Sequence, residues 1–255
     1  MPLRERAAHE TQCHTGGSRA PWIAQYHDGH THDQISSTTG LARRRAPERI
    51  PLESLTGFKL AANSGNWTVA GGIGGDPRMD KALTPLPGTG VLVCNPTPTA
   101  RANLFTAWEH SDLELELDFL IPPRSNSGIY LQGRYEVQIL DSWGKNPPTP
   151  GDVGGIYQRW DVARGKGNEG YEGAAPGANA ARAPGLWQHL RIEFQAPRFD
   201  PTGRKIANAK FVKVVLNDFA IHENVEVTGP TRSGAFQDEK PAGPLVFRPE
   251  MRRCA

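Results

Sequence analysis

Apolar and polar residues alternate without a break through Asp112-Leu-Glu-Leu-Glu-Leu-Asp-Phe119, with Leu113, Leu115, Leu117 and Phe119 on one side and four carboxylates on the other. A period of two marks a strand buried on one face and solvated on the other. His189-Leu-Arg-Ile-Glu-Phe-Gln195 repeats it, with Leu190, Ile192 and Phe194 inward. Residues 66–70 and 90–94 are short β-type runs bounded by Gly and Pro. Residues 211–216 and 220–222 flank Asn217-Asp218-Phe219 as a hairpin, although the turn lacks the Asn-Gly pair that specifies a tight one. No segment longer than a turn or two keeps a helical period. The pattern predicts an all-β sandwich of two antiparallel sheets.

The most informative run is Asn126-Ser-Gly-Ile-Tyr-Leu-Gln-Gly-Arg-Tyr-Glu-Val-Gln-Ile-Leu-Asp141. Read as one strand, it points Ile129, Leu131, Gly133, Tyr135, Val137 and Ile139 one way. Tyr130, Gln132, Arg134, Glu136 and Gln138 point the other. A row of amides, a phenol, a guanidinium and a carboxylate offers the fixed donors and acceptors that a sugar needs. Arg134 and Glu136 could equally form a same-face ion pair. Gly133 permits a bulge or close backbone approach, and Asp141 either caps the next turn or sits on the rim. The following loop carries Trp143, Tyr157 and Trp160, which are either sugar-stacking rings or plugs for the end of the sandwich.

Composition narrows the possibilities. The 28 glycines and 22 prolines, about a fifth of 255 residues, suit short strands joined by turns. A net charge of +2 calls for no polyanionic partner, and Arg43-Arg44-Arg45 reads as a solvated linker rather than a nucleic-acid patch. Cys13, Cys94 and Cys254 are too far apart for a disulfide framework or a CxxC-type zinc site. No apolar run reaches the length of a membrane span, and the N-terminus lacks the apolar segment of a signal peptide. Residues 1–48 show almost no apolar periodicity and are expected to be a disordered or non-native extension. Their His27-Asp28-Gly-His30-Thr-His32-Asp33 run has metal-ligand residue types but no flanking element to hold a geometry. The expected domain spans 50–248, followed by an atypical tail at 249–255.

The long run at 126–141, together with Gly154-Gly-Ile-Tyr157, Pro184-Gly-Leu-Trp187-Gln-His-Leu-Arg-Ile and the strand end at Leu216-Asn217, resembles the 3-keto-disaccharide hydrolase family. That resemblance implies a concanavalin A-like jelly roll acting on glycosides oxidised to a ketone at C3. It implies a carbohydrate substrate and a periplasmic or secreted location. The ketone acidifies the C2 proton, so a base can remove it while the C1 glycosidic oxygen leaves, and water then adds. By the same resemblance Glu136 is base or divalent-metal ligand, and Asp141 is the second carboxylate. Arg134, Gln138 and Tyr157 orient the sugar, with Gln132 and Trp160 as further substrate contacts. No cofactor beyond that possible metal ion is implied. Family members end in a Leu-Gln-x-x-His-Gly segment and a strand of Arg-Asn-Ile type. Here Gly243-Pro-Leu-Val-Phe-Arg248 is followed by Pro249-Glu-Met-Arg-Arg-Cys-Ala255, so a last strand and a site histidine are expected to be missing. Two readings stay open: an enzyme, or a non-catalytic sugar-binding module on the same sandwich.

Overall fold

The computed structural model describes residues 25–28, 48–74 and 84–249. The chain runs through β1 (Gln25–Asp28), β2 (Glu48–Arg49), β3 (Phe58–Lys59), β4 (Trp67–Gly74), β5 (Thr84–Cys94) and β6 (Leu104–His110). It continues through β7 (Leu113–Phe119), β8 (Asn126–Leu131), β9 (Tyr135–Leu140), β10 (Arg159–Trp160) and β11 (Gly170–Tyr171). The remaining strands are β12 (Gln188–Gln195), β13 (Arg198–Phe199), β14 (Lys205–Ala207), β15 (Ala209–Leu216), β16 (Phe219–Val227) and β17 (Gly243–Arg248). Apart from one short 3-10 turn at Val162–Arg164, the described residues contain no helix.

Two antiparallel sheets form the sandwich that the alternation predicts, consistent with the jelly roll that the resemblance implies. One has the order β16-β15-β12-β7-β1-β2 and the other β3-β6-β17-β8-β9. Leu113, Leu115, Leu117 and Phe119 of β7 are buried, as are Leu190, Ile192 and Phe194 of β12. They meet Ile129, Leu131, Tyr135, Val137 and Ile139 of the opposite sheet in one continuous core. Tyr135 and Phe194 touch across the interface with ring centroids 5.5 Å apart, and Phe194 meets Phe211 edge-on at 5.4 Å. Burying such side chains removes apolar area from water at about 25 cal/mol per Å2, the main stabilising contribution of a sandwich core.

The strand read as continuous over 126–141 is a hairpin instead. Leu131 pairs with Tyr135, and Gln132-Gly133-Arg134 form a three-residue turn. Gln132 has φ 53° and Gly133 φ 68°, left-handed conformations that open such a loop. Alternation persists through an odd-numbered loop, which is why sequence periodicity alone does not reveal the reversal. Gly133 is required on a second count, because a Cβ there would lie 2.7 Å from the Phe236 ring. Gly133→Ala is therefore expected to cost about 1–3 kcal/mol, read as a lowered denaturant midpoint.

The turn at Asn217-Asp218 also has a clear physical basis. Both residues have positive φ, 49° and 73°, as a tight hairpin between Leu216 and Phe219 demands. Asn and Asp tolerate that region better than other non-glycine residues. The hairpin predicted there is β15–β16.

Gly243–Arg248 is not a fraying end. As β17 it lies between β6 and β8, hydrogen-bonded on both sides, and all six residues are buried. The expectation about a last strand and histidine falls on residues 250–255, which lie outside the described residues. Most of the predicted extension lies outside them too, including His30 and His32 of the metal-ligand-type run. Gln25–Asp28 is described, and pairs antiparallel with the edge of β7.

Candidate active site

Pairing registers decide which side chains of the five-stranded sheet share a face. Tyr130 of β8 stands directly opposite Glu136 of β9, and Gly128 directly opposite Gln138. On the other flank of β8, Arg248 of β17 stands opposite Gly128 and Val246 opposite Tyr130. Directly opposed residues project to the same side, as do residues two apart. Glu136, Tyr130, Gln138 and Arg248 therefore converge over Gly128 on the face turned away from Ile129, Val137 and Ile139.

Gly128 makes that convergence possible. A Cβ built on it would lie 2.1 Å from Glu136 Oε1 and 3.0 Å from its Cδ. The carboxyl group lies across bare backbone, where any side chain would displace it. Gly128→Ala should thus push Glu136 out of place and lower turnover by about two orders of magnitude, a misplacement effect seen in steady-state kinetics.

Glu136 is fully buried and Arg248 nearly so, with Oε1 3.0 Å from Nη1. Arg248 Nη2 donates to Asn126 Oδ1, to the Ser127 carbonyl at 2.7 Å and to Gln138 Oε1 at 3.0 Å. Gln138 Nε2 in turn donates to Asn126 Oδ1 at 3.3 Å. The guanidinium is thus held by three acceptors besides the carboxylate. Burial pushes the Glu136 carboxyl up to about 7, against the opposing pull of Arg248 and the Tyr130 hydroxyl. Burial, and then the Glu136 charge, raise the Tyr130 phenol. Neither Glu136 oxygen accepts an aligned hydrogen bond, Arg248 Nε lacks a partner, and the Tyr130 hydroxyl lies within reach of Glu136 and Arg248 without a well-aligned bond to either. Unused donors and acceptors gathered on one buried face are the complement of a polar ligand.

The other candidates fall in different places. Gln132 and Arg134 belong to the hairpin turn, and the structure separates them from Glu136. Gln132 accepts nothing from a neighbour through its side-chain oxygen, but its Nε2 donates to the carbonyls of His110 and Pro241 at 3.2 and 3.0 Å. Arg134 pairs with Asp238 at 2.7 Å and not with Glu136, and its guanidinium lies 4.8 Å from the Phe236 ring centre. These two side chains strap the segment 231–241 to the hairpin. Thr231 completes the strap, with its hydroxyl accepting from Glu136 N and donating to Arg134 O, both at 3.0 Å. Asp141 accepts from Arg124 N at 2.7 Å, a bond back to the segment before β8 rather than a cap on the turn that follows. Tyr157 N donates to Glu136 O at 3.0 Å, so Tyr157 flanks β9 beside Glu136 and is half-buried. Trp160 stacks on Arg232 at 3.6 Å and is 37% exposed, whereas Trp143 is 60% exposed and plugs nothing.

A divalent ion does not suit this donor set. The nearest charged neighbour of Glu136 is a guanidinium at 3.0 Å, which repels a cation. Among the described residues no three His, Cys, Asp or Glu side chains gather. Glu136 as metal ligand is not supported by its surroundings.

Tyr130 belongs to the polar face expected from the sequence but carries no role there, and Arg248 is not among the expected site residues. Arg248 is 112 residues from Glu136 in the chain, and only the pairing of β17 with β8 brings them together. The one local signal was Gly128 itself, an unexplained glycine inside a strand two residues from a tyrosine.

Comparison with known proteins places the chain. No curated protein matches it. Two solved structures from Parabacteroides distasonis ATCC 8503, each named a "putative glycosyl hydrolase", are similar at low identity. The first is 22% identical over 86% of this chain and 87% of its own, with a TM-score of 0.48. The second is 18% identical over 78% and 89%, with a TM-score of 0.47. Among protein families the match covers residues 53–250, which takes in both halves of the Glu136–Arg248 pair. The chain belongs to the family of 3-keto-alpha-glucoside-1,2-lyase-like domains.

Proposed function

We propose that this protein cleaves 3-keto-glycosides by removing the C2 proton, expelling the C1 oxygen and hydrating the resulting unsaturated sugar. The observation that carries this reading is the buried Glu136 carboxyl, set near neutrality and 3.0 Å from a fixed guanidinium. A ketone at C3 lowers the acidity barrier at C2, but a general base still has to be poised near the working pH. Glu136 is such a base. As the proton leaves, negative charge develops on the ketone oxygen. Arg248, anchored by Asn126, Ser127 and Gln138, supplies a preorganised positive charge for that enolate, and its Nε carries an unused donor. Gln138 acts by holding Arg248. Both reacting groups are buried, which shields the chemistry from bulk water.

Ordinary glycosidases need two carboxyl groups astride the bond, and their substrates carry no ketone. Here one carboxylate faces a guanidinium. The test is to compare a 3-keto-α-glucoside with the same glucoside unoxidised. Release of the aglycone from the ketone alone is expected. Cleavage of both would indicate conventional glycoside hydrolysis, and binding of the ketone without turnover would leave a sugar-binding module.

A further inference from the structure

We propose that Tyr130 is the general acid that protonates the departing glycosidic oxygen, a role that rests on the elimination reading above. Tyr130 and Glu136 are directly opposed across the β8–β9 ladder and share one face. Both are fully buried. On its other side Tyr130 faces Val246 of β17, the strand that also brings Arg248 near the hydroxyl. The hydroxyl lies within reach of Glu136 and Arg248 but makes no well-aligned hydrogen bond to either. A buried hydroxyl left unpaired costs about 1–3 kcal/mol, and a phenylalanine would fill the same space without that cost. A phenol retained there is explained if a ligand atom uses it. Of the other polar groups around Glu136, Tyr157 meets it through its backbone N–H, and the rest are poor proton donors. Arg248 does not release its proton in a protein, and Gln138 and Asn126 are amides.

The proton accounting is closed. The C2–H bond breaks, and its electrons form the C1=C2 double bond. The C1–O bond breaks, and its electrons stay on the departing oxygen. Glu136 takes the C2 proton while the departing oxygen takes the phenolic proton of Tyr130. Glu136 then returns its proton to the phenolate across the ladder. One proton has moved from C2 to the aglycone, and nothing is oxidised or reduced. Adding water to C1=C2, hydroxyl to C1 and hydrogen to C2, completes the hydrolysis with the same two groups in reversed roles.

Leaving-group dependence tests this directly. A nitrophenolate departs without protonation, whereas a methoxide does not. Wild-type protein should cleave nitrophenyl and methyl 3-keto-glucosides at rates within about tenfold of each other. Tyr130→Phe should retain nitrophenyl cleavage within several-fold and lose methyl cleavage by about 100-fold or more. Tyr157→Phe, which alters the other tyrosine beside Glu136, should change both rates by one common factor. Equal losses on both substrates in Tyr130→Phe, or no loss on the methyl substrate, would overturn the assignment. A wild-type protein already steeply dependent on the leaving group would overturn it with no variant at all, so the answer does not depend on the variant folding. Inactivity of the wild type on both ketones, by contrast, would sink the elimination reading itself.

Discussion

Glu136→Gln loses turnover of a 3-keto-glycoside by about 10^2–10^4-fold while remaining folded. The size of the loss is what a positioned general base contributes. The retained fold follows from electrostatics. With its carboxyl set near 7, Glu136 is already neutral in a large share of molecules at neutral pH. An amide of the same shape therefore resembles a state that the wild type populates, and its oxygen still faces Arg248. The wild-type rate should carry a limb rising with pH through about 7, because the base works only when deprotonated. Glu136→Gln should lose that limb together with the rate. Single-turnover measurements from about pH 5 to 9 check both, and circular dichroism checks the fold. A variant as fast as the wild type would remove Glu136 from the chemistry and leave the pair with Arg248 as a structural ion pair.

The faces of the sandwich were legible in the chain because burial on one side of a strand writes itself into a period of two. β7 and β12 were read correctly residue by residue for that reason. The same periodicity misled at 130–138, since a three-residue loop conserves parity and leaves no mark on the alternation. Tyr130, Glu136 and Gln138 were correctly grouped, but the structure puts them on two strands rather than one, and removes Gln132 and Arg134 into the turn. What the sequence could not show is Arg248. Its place depends on β17 entering between β6 and β8, a long-range pairing to which no local pattern points. Asp141 and Trp160 illustrate the complementary limit. Residue type suggests chemistry, but the partners of a side chain are settled only by its neighbours in space.

The pH dependence of stability should carry two opposing contributions, and Glu136→Gln separates them. His110 is fully buried, and its Nδ1–H donates to the Ser111 carbonyl at 3.0 Å while Nε2 accepts from Gln132 N at 2.9 Å. That arrangement requires the neutral ring. Burial holds its pKa down at about 4, with Ser111 and Asp112 acting weakly the other way. Unfolded, the ring would bind a proton near 6.5, so between about 6.5 and 4 the unfolded state binds more protons. The His110 contribution is therefore complete above 6.5 and drains away by about 3 kcal/mol as pH falls to 4. Glu136 has the opposite sign. Its folded carboxyl binds a proton up to about 7 and its unfolded one only to 4.5, so its contribution is complete below 4.5 and is lost, by a similar amount, as pH rises to 7. Between about 4.5 and 6.5 the two slopes cancel. Denaturant unfolding of the wild type should accordingly vary little across that window from these groups, whereas Glu136→Gln should lose about 1.4 kcal/mol per pH unit below 6.5. His110→Asn should show the reverse slope, less stable as pH rises from 4.5 to 7, on a lower baseline because Gln132 N loses its acceptor. Parallel pH profiles for all three proteins would mean that neither buried group titrates as its surroundings require.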